Sequence, residues 1–137
     1  MNSSQAVKKV AEIAAAHAEK VDAAGVFPEE AVAALRSSGL LGLVLPTEVG
    51  GQGAGPVEFT EVVAELATAC GSTAMIYLMH AAAAVAVAAA PPAGAPDLLG
   101  ALARGEALGT LAFSEKGLRS HFWAPVSTAV PWQTCLA

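Results

Sequence analysis

The segment STAMIYLMHAAAAVAVAAA, Ser72 to Ala90, decides how the chain folds. It carries no Asp, Glu, Lys or Arg, and its length barely reaches the roughly 20 apolar residues needed to cross a bilayer. His80 sits near its middle, and most of the rest is alanine, which is only weakly hydrophobic. Length and composition therefore predict a buried helix of a bundle rather than a membrane span. Alanines let neighbouring helices approach closely, so the segment is placed at the centre of that bundle, and Pro91-Pro92 stops it.

Working back from this helix, another opens at Pro56. Phe59, Val62, Leu66 and Ala69 form its buried face, Glu58, Glu61 and Glu65 lie off that face, and Gly71 closes it. Before it stands a glycine loop, GGQGAG from Gly50 to Gly55, and before that the run Leu40 to Leu45, which reads as an extended connector broken by Pro46. An earlier helix opens at Pro28, with Glu29 and Glu30 suited to its positive end, Val32 and Leu35 facing inward and Gly39 as its stop. The first helix is capped by Ser3 or Ser4, carries the stripe Val7, Val10, Ala14, His17 and Val21, and ends at Gly25. Beyond Pro92, a short helix spans Pro96 to about Arg104 with Gly105 as its stop, and strand character begins only at Leu108 to Phe113. The expected fold is mainly α: an up-down bundle of about five helices followed by a short β segment.

Composition limits the function classes. The 137 residues fit one domain, and with 55% hydrophobic and 14% charged residues the chain has much interior and little surface. Such a surface predicts cover by more chain or by a partner, in the simplest case a homo-oligomer. The formal net charge is −5 and no basic cluster exists, so neither a nucleic-acid patch nor attraction to a membrane surface is supported. The two cysteines, Cys70 and Cys135, make no disulfide framework and fit a reduced, cytoplasmic protein. The first residues lack the apolar core of a signal peptide.

Most candidate sites fail on spacing. GGQGAG is not G-x-G-x-x-G after a strand, and no Lys-Ser/Thr follows it, so it reads as a tight turn rather than a phosphate loop. His17, His80 and His121 share no face and no metal spacing. His17 reads as a packing histidine; His80 either points into a pocket or is a satisfied core histidine. Ser72, Ser114 and Ser120 have no nucleophile-elbow motif. Glu115 can order a turn through backbone hydrogen bonds or act chemically. The stretch GTLAFSEKGLRSHFWAP, Gly109 to Pro125, is different: an apolar strand runs into hydroxyls, a glycine turn and two aromatics. Strand-end backbone groups with Ser114 can meet the polar edge of a planar ring, and the turn before Ser120 offers N–H groups suited to phosphate. An ordinary strand and turn also fits.

Three motifs in order, FPEEAVAALRSSGLLGLVLPTEVGGQG, LLGALARGEALGTLAFSE and SEKGLRSHFWAP, give the chain a family likeness. Together they resemble the N-terminal helical domain of the acyl-CoA dehydrogenase family and the start of its middle β-domain, over nearly the whole chain up to about Pro131. The resemblance implies an FAD enzyme that dehydrogenates an acyl-CoA or similar thioester between its α- and β-carbons. It implies that Leu111, Phe113 and Ser114 contact the flavin ring, and that Ser120 lies near the pyrophosphate and the acyl-CoA. Met79 and His80 would flank the acyl pocket. Some relatives on this fold act instead as flavin-dependent monooxygenases. The sequence departs from the family pattern with Lys116 in a proline place, Arg119 in a glycine place and His121 in an aspartate place; Arg119 either pairs a phosphate or blocks one.

The resemblance divides the chain into the helical domain, residues 1–107, the start of a β-domain, residues 108–131, and a tail, residues 132–137, that does not continue the family pattern. The expectation is a truncated chain without a catalytic residue of its own, because the family's base lies in the part beyond it, and with little turnover in isolation. The reading from another class is a non-catalytic helical interaction module that binds a partner through its apolar face.

Overall fold

Asn2 starts the first helix by accepting a hydrogen bond from the Gln5 amide at 2.9 Å. The cap is therefore Asn2 rather than Ser3 or Ser4, and the Ser3 hydroxyl instead donates to the Glu58 carboxylate. The computed structural model describes residues 2–112 together with Val126 and Thr128. Their elements are α1 (Ser3–Ala24), α2 (Glu29–Ser38), two short 3-10 turns (Leu40–Gly42 and Thr47–Val49), α3 (Pro56–Ala69), α4 (Gly71–Ala89) and α5 (Leu98–Arg104). The five expected helices are present. Gly25, Gly39 and Gly105 end α1, α2 and α5 as their positions in the sequence suggest. Pro28 is the residue before α2 rather than its first residue, and α5 begins at Leu98 after Asp97, two residues later than Pro96.

α1 packs against both α2 and α3, and α3 carries α4 on a further side. Val7 and Val10 of α1, Leu35 of α2, Val62 and Leu66 of α3, and Tyr77 of α4 meet in one core. A second cluster joins Ala14 and Val21 of α1 to Ala31 and Cys70. A third joins Leu45, Ala84, Leu102 and Ala103, where α5 closes one end of α4.

The expected extended connector is in fact a coiled one. Leu43 N–H bonds to Leu40 O at 3.0 Å and Leu45 N–H to Gly42 O at 3.1 Å, so the run folds through successive tight turns. This lets Leu40, Leu41, Leu43 and Leu45 all be buried, which an extended strand with alternating faces could not do against a single core. The glycine loop then doubles back onto the run. Gly51, Gln52, Gly53 and Ala54 donate their amides to the carbonyls of Pro46, Gly42, Leu45 and Leu43, at 2.9–3.0 Å. The Gln52 side chain adds a bond to Gly39 O at 2.9 Å. The loop is thus a structural fold-back, and those four amides are not free to cradle a phosphate, as the sequence reading held.

α4 touches α1, α3, α5 and the Leu40–Gly42 turn, and it is buried along one side. Thr73, Ala74, Tyr77, His80, Ala81, Ala83 and Ala84 are buried, while Met75, Ala82, Val85 and Ala86 are exposed. α1 and α3 bring branched and longer side chains to the same core, Val7 and Val10 from one and Val62 and Leu66 from the other. Gly71 does not close α3 but opens α4, because Cys70 alone separates the two helices. Among the described residues only α4 is long and apolar enough to cross a membrane. The expected β segment is not formed where it is described: Leu108–Ala112 is irregular, and no strand occurs among the described residues. A strand needs a partner, and this segment is instead held by a bond from Gly109 N–H to the His80 ring. Phe113, and all but two of the later residues of the expected β-domain and tail, lie outside the described residues.

The fold-back makes one position intolerant. A Cβ on Gly51 would stand 2.1 Å from Leu45 O. Gly51→Ala is expected to lower stability by about 1–3 kcal/mol in urea unfolding, whereas Gly94→Ala, where a Cβ would meet nothing within 4 Å, changes it by less than about 0.5 kcal/mol.

Candidate functional site

The fold-back and α4 together build a groove. Val44 and Ala54 are brought side by side because Ala54 N–H bonds to Leu43 O. Pro56 and Phe59 at the start of α3 form a second wall, and Leu78, Ala81, Ala82 and Val85 of α4 the third. The space is about 520 Å³, and all eight lining residues are apolar. It has the size and chemistry to take an unbranched hydrocarbon, and it holds no side chain that could act as acid, base or nucleophile. The α4 residues recur at helical spacing on a face that adjoins the buried one, with Ala81 at the border. That second face has a sequence signal, since a helix apolar all round has more than one apolar stripe, but nothing in the sequence says that Val44 and Ala54 join it.

His80 lies behind this groove rather than in it. It is fully buried. Its Nδ1 accepts from Gly109 N–H at 3.1 Å, so its proton is on Nε2, which donates to Leu41 O at 3.1 Å. Both ring nitrogens are thus engaged by main chain, in keeping with the satisfied-core reading. Burial pushes its pKa below the ordinary histidine value, partly offset by the Leu41 and Leu102 carbonyls. Met79 is half-buried on the same helix and, like His80, does not line the groove. Leu111 is half-buried in irregular backbone. Phe113, Ser114 and Ser120 lie outside the described residues.

Two other polar groups are buried in α4. Thr73 Oγ1 and Tyr77 Oη find no hydrogen-bond partner among the described residues. Tyr77 stacks obliquely on Phe59, with centroids 5.8 Å apart, which links the core to the groove wall. Burial, and secondarily the charge of Glu58, push its phenol above the ordinary tyrosine range. His17 bonds through Nδ1 to Ile13 O at 2.9 Å and stands 3.8 Å from Glu30, at the surface of α1 rather than in a site. No group of three metal-ligating side chains occurs among the described residues.

The described residues thus form a helical unit with an apolar groove whose lining carries no reactive group. Residues 3–106 match the family described as acyl-CoA dehydrogenase, N-terminal domain, and the chain belongs to the acyl-CoA dehydrogenase family. It is 40% identical over 77 residues to the probable acyl-CoA dehydrogenase YngJ of Bacillus subtilis, covering 56% of this chain and 19% of that protein. It is 45% identical over 62 residues to the probable acyl-CoA dehydrogenase FadE25 of Mycobacterium tuberculosis, covering 45% and 16%. To the acryloyl-CoA reductase (NADH) of Anaerotignum propionicum it is 32% identical over 114 residues, covering 82% and 29%. The aligned part is less than a third of the length of each of these relatives. No solved structure matches the chain.

The Tyr77 hydroxyl, without a partner among the described residues, costs stability that its ring supplies elsewhere. Tyr77→Phe keeps the ring against Phe59 and removes the orphan donor. It is expected to leave the thermal midpoint unchanged or raise it, by up to about 1 kcal/mol in stability.

Proposed function

We propose that this chain forms the acyl-binding wall of an FAD-dependent acyl-CoA dehydrogenase, the α,β-dehydrogenation of an acyl-CoA thioester being the reaction it serves. The observation that carries the reading is the apolar groove between Val44, Ala54, Phe59 and the Leu78–Val85 face of α4. A hydrocarbon chain gains about 0.8 kcal/mol for each methylene it buries in such a space. The family is FAD-dependent. Among the described residues, however, the groups that fit are those for the acyl chain: the glycine-loop amides are bonded to the chain's own carbonyls, and Leu111 is the one flavin-contact candidate described. Ser114, Phe113 and Ser120 keep the flavin role that the family resemblance gives them, with Ser120 also near the acyl-CoA. The names of the relatives, two probable acyl-CoA dehydrogenases and an acryloyl-CoA reductase, favour dehydrogenase-type over monooxygenase-type chemistry. The buried free thiol of Cys70 suits a cytoplasmic setting.

Filling the groove tests the reading. Ala82 is exposed on the groove wall, so Ala82→Trp fills it without entering the core. Titration calorimetry with octanoyl-CoA is expected to show binding to the chain that Ala82→Trp weakens about tenfold or more at an unchanged thermal midpoint. Binding that the substitution leaves intact, or none in the parent chain, overturns the reading.

A second reading, an interaction module, draws on a different surface. Val26 and Phe27, 44% and 52% exposed, stand with Ile76 and Met75, the latter 56% exposed, along an apolar hollow beside Gly71. If this surface joins copies of the chain, sedimentation gives a dimer or larger species that Phe27→Ser converts to monomer; a monomeric parent chain removes this reading.

A further inference from the structure

His80 joins three parts of the chain that are distant in sequence. Its helix carries it, its Nε2–H is held by the Leu41 carbonyl 39 residues earlier, and its Nδ1 holds the Gly109 amide 29 residues later. The approach at Gly109 is close: a Cβ there would stand 2.7 Å from the Ala83 Cβ and 3.6 Å from His80 O. Glycine lets the main chain lie directly on α4, which brings its amide to the ring. Leu108 packs against the main core and Ala107 against the α5 end of the bundle. Of the next residues, Thr110 and Ala112 are exposed.

We propose that His80 is a positioning residue whose neutral ring fastens Gly109–Ala112 to α4 and whose protonation releases it. An amide N–H can only donate, so the bond requires a bare Nδ1. A second ring proton would sit on that nitrogen and face the Gly109 N–H donor to donor. The effect has a definite sign. The buried ring is harder to protonate than one in water. Its contribution is therefore fully present above the unfolded value near 6.5 and is lost as pH falls from there through the lowered folded value.

The charged surroundings do not compete. On α4 the nearest ionisable group in sequence is Tyr77, and the Leu40–Gly42 turn and residues 107–112 carry none. From α2, Arg36 donates to Gly105 O at 2.8 Å. From α5 and the turn after it, Arg104 is paired with Asp97 and Glu106 at the surface. From α3, the field of Glu58 reaches Tyr77, while Lys8 and Lys9 of α1 and Glu48 of the second turn are exposed. The shift of His80 comes from burial and main-chain carbonyls, with no charged side chain among its causes. The consequence for catalysis rests on the acyl-CoA dehydrogenase reading, in which Leu111 contacts the flavin; the latch itself does not.

The test is amide hydrogen exchange by NMR on the chain between pH 7.5 and 5, corrected for intrinsic exchange. Protection at Gly109 is expected to fall by about tenfold or more, the equivalent of one lost hydrogen bond, while the amides of Val10 and Leu66 keep theirs. In His80→Asn, whose side-chain oxygen can still accept from Gly109 but does not titrate in this range, protection at Gly109 becomes independent of pH relative to those core amides. Protection at Gly109 that stays constant in the parent chain, or that falls only together with Val10 and Leu66, overturns the proposal. Failure of octanoyl-CoA to bind would remove the functional reading and leave this result standing.

Discussion

Four amides, those of Gly51, Gln52, Gly53 and Ala54, are bonded to carbonyls between Leu43 and Pro46 or to Gly42 just before them. The rest of the described structure leans on this short fold-back. It keeps four leucines of a six-residue run turned into the bundle, where a free connector would leave half of them in water. It also fixes where α3 begins, because the chain enters Pro56 directly from the last of these bonds. The backbone satisfies itself in this way, and two glycines make it possible for different reasons, Gly51 by close approach to Leu45 and Gly53 by its left-handed φ of 65°.

The same fold-back explains why one helix serves two purposes. The inner face of α4 meets the core through Tyr77 and the main chain of distant segments through His80. Its outer face, Leu78, Ala82 and Val85, meets Val44 and Ala54 across the groove. A helix that turns its polar side chains Thr73, Tyr77 and His80 inward and lines the groove with alanine, leucine and valine presents there a surface that selects for apolarity and little else. That suits the proposed wall for a hydrocarbon.

How much of this the sequence discloses depends on which group carries the information. The helices are legible because their stripes and their glycine and proline punctuation are written in side chains. The cap of α1 is not, since Asn2, Ser3 and Ser4 all carry capping groups and only the geometry chooses between them. The coiling of Leu40–Leu45 is hidden for a related reason: its partners are main-chain amides of the glycine loop, which have no residue code. Which side of α4 turns inward is not legible either, because an alanine-rich helix gives no phase. His80 shows both limits at once: its burial is foreseeable from its neighbours, but Leu41 O and Gly109 N–H are not. For the flavin contacts, Leu111 alone falls among the described residues, and its irregular backbone there differs from the strand that its apolar neighbours suggest.

The junction at Cys70 has a mechanical side. A single extended residue, with φ −157° and ψ 112°, is all that separates α3 from α4. Two rods joined through one link share a vertex, and the angle between them is held by the side chains packed close to it, Val62 and Leu66 on one rod and Ala74 and Tyr77 on the other. The groove lies farther out, between Phe59 and the Leu78–Val85 face, so its width follows from that packed layer. Girth, in this fold, belongs to the wedge near the corner, while reach belongs to the walls.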